Sequence, residues 1–257
     1  MDLKVHLNLK VCLIWLGFLL TACNGDHVPD CLQNTGKLVR EELEVDAFDR
    51  VTVYEKVGVV IRYGAEQKVE LETGEYLRSE VRATVSNGRL QLYNTNGCNL
   101  FREYGTTTFY ITVPDLKEIR SSTGLPIVSD GVLPFNNLTL YSESYSDPGA
   151  ETKDGSFDLE LDVQDLSVVT NGIAFFRLRG TAVQSNFTIG AGDSRIEAEQ
   201  LISQSVMINH RGSNDILVNP RENLQGVIRG TGDVVSFFRP VNVDVDILYK
   251  GRLLFRD

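Results

Sequence analysis

Histidine, methionine and tryptophan are nearly missing from these 257 residues: three, two and one respectively. His6 falls in an N-terminal leader and His27 in a polar stretch, which leaves His210 alone in the body of the chain. A Ser/His/Asp relay needs a base beside a nucleophile, and no nucleophile motif accompanies His210, so that chemistry is nearly excluded. The setting Asn209-His210-Arg211-Gly212 reads as an exposed turn. Positive charge is scarce as well, with 25 Lys and Arg against 35 Asp and Glu and a net charge of −10. Such a surface repels phosphate backbones, so nucleic acid is not an expected partner. The longest apolar run, Val11 to Leu20, is far shorter than the roughly 20 residues a spanning helix needs. Helical periodicity is absent except for a turn's worth around Glu75 to Glu80.

The short run suits a signal-peptide core, with Lys4 and Lys10 before it and Leu20-Thr21-Ala22-Cys23 after it. An apolar residue, two small ones and then cysteine resemble the lipobox of bacterial lipoproteins. That implies cleavage before Cys23 and acylation, as with palmitate, of its sulfur and amine. Residues 1–22 are then a leader and residues 23–37 a polar tether containing Pro29. The lipid would be the only membrane attachment, at about 0.8 kcal/mol per buried methylene. Of the four cysteines, Cys12 leaves with the leader, so Cys31 and Cys98 remain. In an oxidising compartment they could form a disulfide, stabilising by about 4 kcal/mol on the chain-entropy model. Two free thiols are the alternative. Zinc is less favoured, because His27 is the one other ligand type near Cys31. No metal or cofactor is expected.

From residue 38 onward the pattern alternates with period two, which signals strands. In 38–113, Val51 with Val53, Val59 with Ile61, Val69 with Leu71 and Leu90 with Leu92 are separated by glycine turns. Asn87-Gly88 marks a hairpin, because both residues tolerate the positive φ of a type I′ turn. In 114–257 the pattern repeats. Leu116, Leu138, Leu166, Phe187, Val206, Leu224 and Val243 open units of roughly 20 residues, most with a glycine turn and a second short strand. A sandwich of hairpins would also show short strands but needs no fixed period. The expected fold is all-β: a right-handed β-solenoid, parallel β-helix-like, with an N-terminal segment of hairpin character. Some six coils at about 4.8 Å each would make a rod roughly 30 Å long.

An ordered set of these residues resembles the bacterial "putative auto-transporter adhesin, head GIN" family of cell-envelope proteins. It includes Glu41 to Val45, Phe48-Asp-Arg-Val51, Gly64 to Leu71, Asn87-Gly88-Arg-Leu90, Ile111 to Leu116 and the repeated turns, of which Gly230-Thr-Gly232-Asp233 is the cleanest. The resemblance implies a β-helical body, with residues 38–257 forming one domain, and an envelope location, with the outer membrane favoured. The positions of Cys31 and Cys98 also fit its lipoproteins. It implies little about chemistry. The chain departs from the pattern at Ser142-Glu143-Ser144, where a glycine is expected, and in a longer unit there.

Two acidic sets invite a catalytic reading. Asp158, Glu160 and Asp162 alternate with apolar residues, as do Asp244 and Asp246, so each set lines one strand face. Glycoside hydrolysis or calcium could use such spacing, but solvated faces that discourage edge pairing are the simpler account. Gly190-Ala-Gly192 and Gly230-Thr-Gly232 are corners, since neither opens a helix as a phosphate loop does. If the turn glycines set the register, Phe176, Leu178, Ile216, Val218, Val234 and Ser236 point inward. Phe175, Leu217, Val235 and Phe237 then face out as an apolar stripe, for a partner or under a covering layer. The insertion from Tyr141 to Ser156, with Tyr141 and Tyr145, is a second contact candidate or a disordered loop. The expected role is non-enzymatic and adhesin-like, toward a glycan, an envelope protein or an identical copy. A carbohydrate-active enzyme using the acidic face is the alternative.

Overall fold

Alternation along the sequence becomes strand after strand. A computed structural model describes residues 34–97 and 105–256, so the positions of Cys23, Cys31 and Cys98 lie outside the described residues. The chain there is all-β apart from one 3-10 turn, Glu75–Glu80. The first ten strands are β1 (Leu38–Leu43), β2 (Arg50–Val53), β3 (Gly58–Tyr63), β4 (Lys68–Gly74), β5 (Val81–Ser86), β6 (Arg89–Asn94), β7 (Thr108–Val113), β8 (Glu118–Ser121), β9 (Pro126–Leu133) and β10 (Asn137–Ser142). Four long ones follow: β11 (Ser156–Thr170), β12 (Phe175–Ile189), β13 (Arg195–His210) and β14 (Ile216–Ile228). Three short ones end the chain: β15 (Val234–Ser236), β16 (Asn242–Ile247) and β17 (Leu253–Phe255).

Hydrogen bonding sorts them into two ladders. The first runs β5–β6–β2–β8–β10, then through the second halves of β11 to β14, and ends at β16. The second runs β1–β4–β7–β3–β9, then through the first halves of β11 to β14, and ends at β15 and β17. Orientation is mixed: β1–β4, β4–β7 and β5–β6 are antiparallel and the other pairs parallel. In the parallel stack Phe157 lies beside Phe176, Phe176 beside Ile196, and Ile196 beside Ile216.

A long strand serves both ladders by changing phase. In β11 the buried residues are Phe157, Leu159, Leu161 and Val163, and after the exposed pair Gln164-Asp165 they are Leu166, Val168 and Thr170. One extra residue on the outside bends the strand and turns the following side chains inward again. The inward residues of both ladders form one buried cluster, which includes all four of Phe176, Leu178, Ile216 and Val218. Phe157 and Phe176 stack within it, ring centroids 4.8 Å apart. Burying each such ring contributes roughly 1.5–3 kcal/mol.

The turn glycines answer to this stacking. A Cβ on Gly230 would stand 2.1 Å from the carbonyl oxygen of Gly212, the equivalent turn one layer back. Any side chain there would separate the layers. The hairpin expected at Asn87-Gly88 joins β5 to β6, with φ of 51° and 71°.

One expectation needs correction. His210 is no exposed turn residue: it ends β13, is fully buried, and sits in register between Ile189 and Ile228. The alternation carries one residue further than the turn signal suggests, and places this side chain inward. The N-terminal strands extend the same ladders as the repeats: β2 lies between β6 and β8, and β3 between β7 and β9.

Candidate functional site

Eight passages from the first ladder to the second that lie wholly within the described residues cross the same corner. Residues 54–57, 122–125, 143–155, 171–174, 190–194, 211–215, 229–233 and 248–252 therefore form one face of stacked turns. Inside it the corner is polar and bonded. Thr170 and Ser194 hydroxyls meet at 2.7 Å, Ser121 donates to the Thr123 carbonyl at 3.2 Å, and Gly212 N–H donates to His210 Nδ1 at 3.3 Å. His210 Nε2 is buried without a partner. Burial lowers the His210 pKa below its ordinary value, against the opposing effect of nearby backbone and of Asp215 and Asp233.

The insertion lies on this face and is anchored there. Arg120 and Glu143 are both buried, and Arg120 Nη1 donates to Glu143 Oε1 at 2.8 Å. The backbone N–H groups of Tyr145 and Ser146 donate to Glu143 Oε2 at 2.5 and 3.1 Å, and the Ser146 hydroxyl bonds Oε1. Burial alone would raise the Glu143 pKa, but the hydrogen bonds from Ser146, Arg120 and Tyr145 hold it down at about 2. The missing glycine at Ser142-Glu143-Ser144 thus marks an ion pair in place of a tight turn. Arg120 also lies over the Tyr141 ring, 4.4 Å from its centroid, so Tyr141 is half-buried. Tyr145, 74% exposed, projects beside Gly190.

Two open grooves flank the insertion. One, about 260 Å³, lies between Tyr54, Glu55, Tyr93, Ser122 and Glu151. The two tyrosine rings stack at 4.4 Å. Burial and the hydrogen bond with Tyr54 push the Tyr93 hydroxyl up to about 12, so it stays protonated. The other, about 500 Å³, runs over the later turns between Ile173 and Tyr249, with Asp193, Arg211, Ser213 and Arg229 along it.

The apolar stripe is not assembled as an open surface. Leu217 and Val235 follow Glu197 in one row of the second ladder and precede Leu254, and both are buried. Short side chains within such a row do not clear their neighbours, whereas the longer Arg177 beside Glu197 stays exposed. Phe175 and Phe237 are half-buried, with Arg177 and Arg256 guanidiniums 5.3 and 6.0 Å from their ring centroids. The acidic face is tied to its neighbour strand. Asp158 pairs with Arg179 at 2.6 Å and Arg177 at 3.6 Å, and Asp162 accepts from the Thr181 hydroxyl at 2.7 Å. Asp244 and Asp246 are exposed on β16, the last strand of the first ladder. Among the described residues no group of three His, Cys, Asp or Glu could hold a metal ion, and no helix is long and apolar enough to cross a membrane.

Tyr54, Tyr93, Arg211, Arg229 and Tyr249 were not singled out in the sequence. Arg211-Gly212 and Arg229-Gly230 did carry a signal, an arginine before the turn glycine in consecutive repeats. The tyrosines carried none, because Tyr54 and Tyr93 meet only through the pairing of β2 with β6.

Comparison with known proteins bears on this architecture. A crystal structure of a putative adhesin from Bacteroides fragilis is 18% identical, with a TM-score of 0.74 over 87% of this chain and 99% of that one. A putative lipid binding protein from Parabacteroides distasonis is 14% identical, with a TM-score of 0.62 over 86% and 98%. A putative adhesin from Parabacteroides merdae is 15% identical, with a TM-score of 0.57 over 86% and 97%. At such identities the likeness is one of fold. No curated protein matches. The family model described as "putative auto-transporter adhesin, head GIN domain" matches residues 47–240, and the chain belongs to that family.

Proposed function

We propose that this protein is a non-enzymatic, adhesin-like component of the bacterial envelope that binds through its face of stacked turns. The observation that carries this reading is a set of exposed contact groups and grooves on one face. Tyr145, Tyr249, Ile173 and both grooves lie on the turns, while on the acidic strand face Asp158 is ion-paired and Asp162 accepts a hydrogen bond. Loops held by a rigid scaffold are where recognition is commonly built. The same engagement argues against the carbohydrate-active alternative, which needs a free pair of carboxylates flanking a bound sugar. The body is read as a right-handed β-solenoid with coils of about 20 residues, supported by the registers of β11 to β14. The anchor at Cys23, a Cys31–Cys98 bridge and an outer-membrane location complete the proposal, on the sequence pattern and the family.

The test is adhesion by cells carrying the full chain, compared with Tyr145→Ala/Tyr249→Ala at equal surface level. Several-fold weaker adhesion is expected. Unchanged adhesion would overturn the assignment to the turn face, and protease shaving of intact cells checks that this face is accessible.

A further inference from the structure

We propose that the groove between Ile173 and Tyr249 is a binding site for an acidic sugar, with Arg211 and Arg229 clamping its carboxylate or phosphate. This rests on the turn face being the binding surface and names the ligand class it takes. Arg211 and Arg229 stand in equivalent positions on adjacent layers. Arg211 N–H donates to the Ile189 carbonyl at 2.8 Å and Arg229 N–H to the His210 carbonyl at 2.7 Å, each one residue past the end of its strand. Adjacent layers are about 4.8 Å apart, and both arginines line the one groove. Two unneutralised cations lining one groove repel, and an anion between them removes the repulsion.

Neither guanidinium has a carboxylate partner among the described residues. Arg229 bonds the Asn209 side-chain oxygen at 3.2 Å. Every other described arginine except Arg82 either meets a carboxylate or lies over an aromatic ring. On a chain of net charge −10, two adjacent unneutralised arginines in a groove stand apart. Asp193, the acid on the groove wall, accepts from the Ser213 hydroxyl at 2.6 Å. Lys250 Nζ lies 5.7 Å from the Tyr249 ring centroid and adds a third cation at the same end.

The remaining groups suit a sugar. Forked guanidiniums bind carboxylate and phosphate oxygens with paired hydrogen bonds. Tyr249, 58% exposed, offers a ring face for a sugar to stack on, and Ile173, 64% exposed, walls the other side. Ser213 and Thr231 hydroxyls line the floor, where they can meet ring hydroxyls. The groove is open to solvent and lies along a repeating face, so a chain of sugars can lie along it.

The detergent-solubilised full chain is titrated calorimetrically with trigalacturonate, with mannose 6-phosphate and with neutral maltotriose. Binding of at least one acidic sugar, weakened by added salt, with none of maltotriose, is expected. The trigalacturonate and phosphate arms separate the two sources of negative charge. Arg211→Gln/Arg229→Gln should weaken binding about tenfold or more, and Arg82→Gln should leave it unchanged. Arg211→Lys/Arg229→Lys keeps the charge without the fork, is expected to weaken binding less, and carries the test if the glutamine variant unfolds. Equal binding by wild type and both double variants would overturn the proposal, as would binding of maltotriose alone. Binding to phosphatidylglycerol vesicles without binding to either acidic sugar would overturn it too. The titration needs no cells, so its failure is distinct from a failure of adhesion.

Discussion

From β11 onward each strand pairs with the next repeat in the chain, so the stack grows in sequence order. Before β8 it does not. β2 sits between β6 and β8, β4 runs antiparallel between β1 and β7, and β5 folds back on β6. Both regions bury alternate residues in one core, but only the later one has glycine stacked on glycine at its corners. A repeat can be built by local rules applied again and again, whereas the earlier region depends on distant pairings that no local rule announces. The Arg120–Glu143 pair lies at the junction of the two.

The largest expected effect is at that junction. Arg120→Met would leave Glu143 buried and unpaired, and should cost about 3–5 kcal/mol in urea unfolding. Acid should act on the same pair. The folded-state pKa of Glu143, about 2, is below its ordinary 4.5, so its contribution is fully present above pH 4.5 and is lost as pH falls toward 2. Stability should drop by about 3 kcal/mol across that window, and Glu143→Gln should remove the drop.

Next come glycines from the two regions. Gly180, in the regular stack, has φ of 104°, and a Cβ there would stand 2.1 Å from the Leu161 carbonyl oxygen. Gly180→Ala should cost roughly 2–4 kcal/mol. Gly131, in β9, has φ of 87° with open space around it. Gly131→Ala should cost only about 1 kcal/mol. Equal losses in thermal unfolding would erase the contrast between the stacked layers and the earlier strands.

His210→Ile tests the regular stack more gently, since its register neighbours are both isoleucine. Wild-type stability should fall as pH drops below the ordinary histidine range, because the buried ring must gain a proton whose pKa is lowered by the fold. The variant should be flat above pH 5, with stability at neutral pH changed by no more than about 1 kcal/mol. The smallest change in stability is expected at the open end of the stack, β16. Asp244→Val/Asp246→Val should change unfolding by a few tenths of a kcal/mol at most, about the range of surface substitutions. It should raise self-association measured by light scattering, because charge on an edge strand opposes pairing with another chain.

Much of the body was legible in advance. Period-two alternation allowed only strands, and the glycine spacing set which residues of each repeat point inward: Phe176, Leu178, Ile216, Val218, Val234 and Ser236 are all fully buried. The Asn87-Gly88 hairpin followed from backbone sterics alone. The candidate site was far less legible. Which outward residues stay open depends on their neighbours across layers, and this buried Leu217 and Val235 while exposing Tyr249. The order of β2, β6 and β8 and the anchoring of the insertion by Arg120 each depend on residues distant in the chain. By itself the sequence determined an all-β body with a known inward face, because alternation and turn sterics act between near neighbours. Only the tertiary structure decided that the turns share one face and that Arg211 and Arg229 line one groove on it, because that requires successive layers to be stacked in register.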